Sequence, residues 1–369
     1  MTPRPGEKLP FCVGAQRDQQ FYAPDVQAGR AAVLVLGGAL RSPNLPGVRN
    51  ALASHAQSFA ALDTDVLVIG GFSAGPAAWL AAPGDPSDLP VVLCNDSFFA
   101  ECGLAPGEDA VVLVDRAWRA LGFWLTRDHD PSDLANAALS TAGAISREAT
   151  QHCRLPAPLL AIQNLLDADL RTRLIARFEN GETFDSGLSA AANDGIAGER
   201  LDHKKKRRTD CLLTPRDGLY NEVHDALYGR CAPEIKRAFQ CDIAHNDRIL
   251  IARYDETGGY FKRHRDNMNE AVAFRQFALS INLNTGAYEG GDLIFPEFND
   301  HRYAPQAGEG IVFSTSLLHE ALPVTRGRRY VLLTFLHDSA AEQRRLAYKQ
   351  KRVRNILHEI AGRKEAVLF

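Results

Sequence analysis

The sharpest constraint on this chain is a change of pattern at Leu155-Pro156-Ala157-Pro158. Before it, short apolar runs rich in β-branched residues (31–36, 65–70, 90–94 and 110–114) alternate with helix-like stretches at 48–61, 76–82 and 131–148. Continuous apolar runs suit strands buried on both faces. Their alternation with helices predicts an α/β unit with a largely parallel sheet. Asp130 is placed to cap the last of these helices, and Pro131 suits its first position. After the boundary, 159–178 has helical periodicity, which Asn180-Gly181 stops. Residues 186–208 are polar and read as a loop, and 217–239 read as mainly helical. From Arg248 onward the pattern is β, at 249–254, 275–283, 292–295, 310–314 and 329–336. Phe277, Leu279, Ile281 and Leu283 alternate cleanly, marking one face of a strand. Glycine-bearing turns at Gly258-Gly259, Gly290-Gly291 and Gly308-Glu309-Gly310 punctuate these short strands, a sandwich or jelly-roll signature. We expect two domains, 1–152 and 153–369.

With 369 residues, either half can bury a core without staples. The net charge of −3 gives no reason to expect nucleic acid as a partner. No apolar run is long enough to span a bilayer, and the N-terminus lacks the apolar stretch of a secretory signal. The seven cysteines include no CxxC pair and read as reduced thiols in a cytoplasmic protein. Cys94 and Cys102 read as small buried hydrophobes.

The chemistry concentrates around His264-Arg265-Asp266. Residues two apart on an extended strand point the same way, so His264 and Asp266 can present an imidazole and a carboxylate to one point. His319, ending a strand-like region, can supply a third ligand. Two histidines and a carboxylate with open positions beside them form the arrangement of non-haem Fe(II) oxygenases. Arg329 follows on a later strand. A planar, permanently charged fork suits a buried carboxylate. Arg328 and Arg329 must face opposite ways, and Arg329 shares parity with the apolar Val331, Leu333 and Phe335. The basic run from Lys204 to Arg208 reads as a solvated loop, or else as one that meets an acidic or phosphorylated substrate. Asn267 and Arg275 are placed to line a substrate mouth. His203, His245, His301 and His337 read as surface or hydrogen-bonded histidines.

In Tyr254…Gly258-Gly259-Tyr260-Phe261-Lys262-Arg263-His264-Arg265-Asp266, Leu283-Asn284…Glu289-Gly290-Gly291-Asp292-Leu293…Phe295 and His319…Pro323-Val324…Gly327-Arg328-Arg329-Tyr330, the chain resembles the prolyl-4-hydroxylase-type 2-oxoglutarate/Fe(II)-dependent dioxygenases. The resemblance runs from about Leu155 to His337. It implies a double-stranded β-helix (jelly roll) with flanking helices. It further implies Fe(II) on His264, Asp266 and His319, and 2-oxoglutarate on Arg329 with Tyr254 bordering its pocket. The implied reaction is hydroxylation of a prolyl or other side chain, or of a small metabolite, coupled to release of succinate and CO2, with dioxygen as co-substrate and ascorbate as reductant. An aspartate at 266 favours hydroxylation over halogenation. The position of a second cosubstrate-binding tyrosine falls at Ile281. Substrate specificity is expected from 186–208, 266–274 and 297–303.

The N-terminal half is similar to a peroxiredoxin-type thioredoxin fold in Pro5-Gly6-Glu7-Lys8-Leu9-Pro10-Phe11, in 31–36, and in Asp109-Ala110-Val111-Val112-Leu113-Val114-Asp115-Arg116-Ala117-Trp118-Arg119. The stretch where that family places its peroxidatic cysteine, 38–47, contains none. A non-catalytic redoxin (thioredoxin-like) domain follows, suited to packing, homodimerisation or partner recognition. Two other functions are carried forward: a sensor that binds metal and 2-oxoglutarate without turnover, and a thiol-redox protein acting through Cys94 or Cys102.

Overall fold

A computed structural model describes residues 2–10, 12, 14–16, 21–22, 29–37, 43–74, 89–145, 155–186, 188–190, 198–200 and 202–366. The chain divides into two compact units, Met1–Gln151 and His152–Phe369.

In the first unit, strands Ala31–Gly37, Thr64–Gly71 and Val91–Cys94 pair in parallel. Asp109–Val114 joins Ala31–Gly37 antiparallel, and Ala120–Leu125 folds back on it. Gly14–Gln16 and Phe21–Tyr22 extend the other edge. Only two of these six pairings are parallel, which corrects the expected largely parallel sheet to a mixed one: the link from Asp109–Val114 to Ala120–Leu125 is too short for a parallel crossover. Every residue of Ala31–Gly37 is buried. Leu34 and Leu36 enter one core with Ile69 and Val112, while Val33 and Val35 enter another with Leu52 and Leu134. That two-sided burial explains the uninterrupted apolar runs. Asp130 does cap helix Pro131–Gly143, accepting from the Ser132 and Asp133 amides at 2.9 and 3.4 Å.

Three further expectations for this unit need correction or lie outside view. The helix read at 48–61 is two helices, Leu45–Ser54 and Ala56–Ala61, separated by a non-helical His55. The helix read at 76–82 falls outside the described residues, as does the stretch 38–42. The cysteines are not all reduced thiols, because Cys12 and Cys94 are joined by a disulfide. Gly14–Gln16 lies beside Val91–Cys94, which brings together two cysteines 82 residues apart. Cys102 stays a buried thiol, and burial pushes it up to about 12.

The second unit is built from two antiparallel sheets. The larger runs in the order Leu159–Ile162, Gly310–Ser314, Phe277–Asn282, Val324–His337, Ile249–Asp255, Thr209–Leu213 and Phe184–Asp185. The smaller contains Lys206–Arg207, Tyr260–His264, His319–Ala321 and Leu293–Ile294. Both sheets fit the expected jelly roll. Helices Ala168–Asn180, Gly218–Ala226 and Ala232–Phe239 supply Leu174, Phe178, Val223 and Ile235 to a core with Ile251, Leu279, Ile281 and Leu332. Side chains of opposite parity on the same strands (Ala252, Tyr254, Val331) join Ala321 and Val324 in a separate cluster. It is this second face that frames the site.

The helix expected at 159–178 begins later than the periodicity suggested. Leu159–Ile162 is a strand, because its backbone completes the edge of Gly310–Ser314. The helix starts after Asp167, whose carboxylate accepts from the Leu170 amide at 2.8 Å, and it ends at Asn180 as expected. Within 186–208 the structure also departs from a loop: Leu188–Ala190 pairs with Gly198–Arg200, and Lys206–Arg207 pairs with Tyr260–Phe261. Among the described residues, no helix is long and apolar enough to cross a membrane.

Candidate active site

His264 is the last residue of strand Tyr260–His264, and His319 opens strand His319–Ala321 directly opposite it. The pairing slips between Phe261 and His264, a bulge that re-aims the end of the strand. Asp266 lies just beyond, pinned where its amide donates to the Thr315 carbonyl at 2.9 Å. One ligand atom from each of His264, Asp266 and His319 lies within 4.8 Å of the others. Among the described residues this is the only such group of three.

The hydrogen bonds around the two imidazoles decide what the triad can hold. His264 Nδ1 faces the Lys262 carbonyl at 2.7 Å, and His319 Nδ1 faces the Leu317 carbonyl at 3.0 Å. A carbonyl only accepts, so each Nδ1 carries the proton and each Nε2 presents a lone pair in the neutral ring. Those Nε2 atoms sit 3.4 Å from the two oxygens of Asp266. Two lone pairs aimed at a carboxylate repel one another unless a cation lies among them. The donor set, with its backbone-fixed tautomers, therefore fits a divalent metal.

Burial pulls the Asp266 carboxyl upward, but His319, His264 and Arg275 outweigh it and hold the group well below the usual carboxylate range. Burial drives His319 the other way, down to about 4. In the metal-free protein the unfolded chain then takes up a proton near pH 6.5 that folded His319 refuses until about pH 4. His337 is lowered too, again mainly by burial. Stability from these two groups is complete above their unfolded pKa and is lost as pH falls. Thermal unfolding of chelator-treated protein should therefore show a melting temperature that drops steadily from pH 7 to pH 5.

Arg329 stands opposite Tyr254 on the larger sheet. It is 4% exposed, whereas Arg328 is exposed and leans toward Asp255. Its Nη2 donates to Asn282 Oδ1 at 2.8 Å, while its buried Nε has no hydrogen-bond partner. A buried cationic fork with an orphaned donor fits an incoming carboxylate. Tyr254 packs beside it, with the Arg329 guanidinium 5.4 Å from the ring. Arg208 Nη1 donates to the Tyr254 hydroxyl at 3.5 Å, and Arg208 is itself clamped by Asp210 at 2.6 Å on each of two bonds. The expected position Ile281 is a correction: its side chain lies in the helix-facing core, and its neighbour Asn282 faces Arg329.

Gly291 explains one of the glycine pairs. Its φ is +71°, and a Cβ there would lie 2.8 Å from Arg329 Cδ. Gly291→Ala combines left-handed backbone strain of roughly 1–2 kcal/mol with a push on Arg329. We expect the KM for 2-oxoglutarate to rise about tenfold, an effect of the size of one such strain, in steady-state succinate assays.

A cavity of about 840 Å³ joins the triad, Arg329 and Tyr254. Leu250, Ala278, Phe313 and Leu333 give it apolar walls. Of the loops expected to shape it, Met268, Asn269 and Val272 do line it, as do Lys205, Lys206 and Arg208. Arg275 lines it as anticipated, but Asn267 instead donates to Ser316 Oγ at 2.7 Å. None of residues 297–303 contributes a wall. Glu297 is engaged with Arg265 and the Leu318 amide. The solvated-loop reading also fails for Lys206 and Arg208. Lys206 is 5% exposed with its ammonium 4.7 Å above the Phe261 ring, and Arg208 is paired with Asp210. The roles of Asn282 and Asp210 were not anticipated, since an Asn or Asp on a strand carries no signature of its own.

Residues 249–337, the segment that carries the triad, match the family model of the 2OG-Fe(II) oxygenase superfamily. A PKHD-type hydroxylase of Nitrosomonas eutropha is 28% identical over 126 residues, 31% of this chain and 56% of that protein. The chain spans about half the length of the curated relatives it matches. Among solved structures, a Pseudomonas putida prolyl-4-hydroxylase aligns with 49% of this chain and 92% of its own at 20% identity and a TM-score of 0.39. The peroxidoxin BcpB of Mycobacterium tuberculosis aligns with 39% of this chain and 99% of its own, at 16% identity and a TM-score of 0.32.

Proposed function

We propose that this protein is an Fe(II)- and 2-oxoglutarate-dependent dioxygenase that hydroxylates its substrate with release of succinate and CO2. One observation carries the reading: two Nε2 lone pairs and a carboxylate converge within 4.8 Å, in a cavity that also holds the buried Arg329 with an unpartnered Nε. His264, Asp266 and His319 would hold the iron, which when bound supplies the redox centre for dioxygen. The Lys262 and Leu317 carbonyls hold both imidazoles in the ligating tautomer. Arg329 receives the far carboxylate of 2-oxoglutarate, with Asn282 orienting the guanidinium and Gly291 leaving room for its stem. Arg208 donates to the Tyr254 oxygen, which leaves the Tyr254 proton to point elsewhere and suits it to bond an anion. The apolar walls exclude water around these charges, which strengthens each pairing. Asp266 supports hydroxylation as the outcome.

The test is succinate formation by the full chain with Fe(II), 2-oxoglutarate and ascorbate as reductant, without added substrate. Slow turnover that stops on chelation is expected. Stoichiometric metal binding with no 2-oxoglutarate binding would overturn the reading. The N-terminal unit is read as a non-catalytic redoxin-like element of a cytoplasmic protein, serving dimerisation or partner recognition. Its Cys102 thiol is buried and pushed up to about 12, and 38–47 carries no cysteine, which disfavours peroxide chemistry as the main activity. Sedimentation of the full chain checks for the homodimer.

A further inference from the structure

The two imidazoles of the triad are not held alike. The His319 side chain is 6% exposed, with the Phe313 ring edge-on at 4.7 Å. His264 ends its strand, and its side chain is 17% exposed. Its bond to the Lys262 carbonyl fixes the tautomer. The imidazole torsion is broad, however, and one bond at the ring edge leaves the plane free to rock.

Phe261 supplies the missing constraint. Its ring lies against the His264 imidazole, with centroids 3.3 Å apart and planes 17° from parallel. Residues three apart on a regular strand point to opposite sides. The slip in pairing between Phe261 and His264 is what turns both rings to the same side. A rotation of the imidazole out of its plane then runs into Phe261, while His319 stands 4.1 Å away, tilted by 53°.

Lys206 is the direct cross-strand partner of Phe261. It is buried, with its ammonium over the Phe261 ring. An apolar side chain would pack there without the desolvation that a buried charge suffers. A cation over an aromatic face ties the ring down by an attraction that plain packing lacks. The basic run thus has two characters. Lys205 and Arg207 are exposed, whereas Lys206 and Arg208 turn inward, Lys206 to Phe261 and Arg208 to Tyr254. The Lys206 charge also acts on Asp210, the partner of Arg208.

We propose that Phe261 is a positioning residue for the metal ligand His264, and that Lys206 holds Phe261 against it. This rests on the oxygenase reading above and gives part of the basic run a task at the metal centre. Phe261 keeps the imidazole plane aimed so that Nε2 meets the metal without a prior search among orientations. Lys206 acts at one remove, through the ring.

The experiment titrates full-length, chelator-stripped protein with Mn(II) by calorimetry and records the visible spectrum of the Co(II)-loaded form. Phe261→Leu keeps an apolar side chain without the flat face. It should weaken Mn(II) binding by about tenfold, the size expected when a group that orients a ligand is lost. Phe261→Tyr restores the face and should bind Mn(II) within about twofold of wild type. Lys206→Met keeps the stem without the charge and should weaken binding by about threefold, which Lys206→Arg should recover. A charge acting only through space would have the opposite effect, since removing one cation favours the binding of another. The Co(II) bands should shift in Phe261→Leu and stay in place in Phe261→Tyr. Leu174→Ala, which truncates the helix-facing core, should lower the melting temperature and leave both metal readouts unchanged. Mn(II) binding by Phe261→Leu within about twofold of wild type, or equally weak binding by Phe261→Leu and Phe261→Tyr, overturns the role of Phe261. Unchanged or tighter Mn(II) binding by Lys206→Met overturns the role of Lys206, and the two Lys206 variants carry the test if Phe261→Leu does not fold. Mn(II)-loaded wild type that binds no 2-oxoglutarate would overturn the oxygenase reading alone and leave these comparisons standing.

Discussion

Asp266→Ala should lower 2-oxoglutarate decarboxylation by at least about 10³-fold, since a bound metal is worth several kcal/mol to chemistry of this kind. The carboxylate is the only anionic member of the triad, so its loss removes both a donor and the charge that offsets a cation. The variant should still fold. Asp266 lies just past the end of strand Tyr260–His264, so its loss leaves the pairing of the two histidine strands in place. A cooperative thermal transition retained without metal, combined with lost metal binding by calorimetry, would confirm that only the site was removed. Turnover retained within tenfold would sink the assignment of Asp266.

Arg329→Leu is expected to raise the KM for 2-oxoglutarate by about 10²- to 10³-fold, because a buried carboxylate left without its partner costs roughly 3–5 kcal/mol. Metal affinity should barely change, since Arg329 sits on the larger sheet and the two histidines on the smaller. Arg329→Lys should fall between, keeping the charge but not the fork that now spans Asn282 and the open Nε. The check is a split between the cosubstrate KM and the metal dissociation constant. A parallel fall in both would mean the substitution had damaged the unit as a whole.

Much of the site was legible because its residue types are costly anywhere else. His264, Asp266 and His319 fall in a spacing that strand parity converts into one locus, and the structure brings them there. Parity also separated Arg329 from Arg328, though not for the reason first apparent. Both faces of Val324–His337 are buried along most of its length, and the face opposite Arg329, carrying Tyr330, Leu332 and Leu336, holds the larger core. Arg328 is exposed because it lies near the end of the strand beside Asp255. Ile281 was the wrong neighbour by one residue, which on a strand means the wrong face. The start of helix Ala168–Asn180 was hidden because Leu159–Ile162 is apolar and short, and only its edge partner makes it a strand. Lys206 and Arg208 looked solvated because nothing local announces Phe261 or Asp210 as partners. The Cys12–Cys94 pairing could not be read at all, since it depends on which strand an N-terminal segment joins.

Val324–His337 pairs with Ile249–Asp255, Phe277–Asn282, His245–Asn246 and Tyr288–Gly290. A strand held by that many partners gives up its amide protons only when the whole unit opens. The amides of 329–336 should therefore be the slowest in the chain to exchange with deuterium, at a rate set by global unfolding. The turn-rich residues 267–274 carry cavity walls on few backbone bonds and should exchange orders of magnitude sooner. The cosubstrate seat is then as rigid as the protein itself, while the opposite mouth can loosen and reclose without disturbing it.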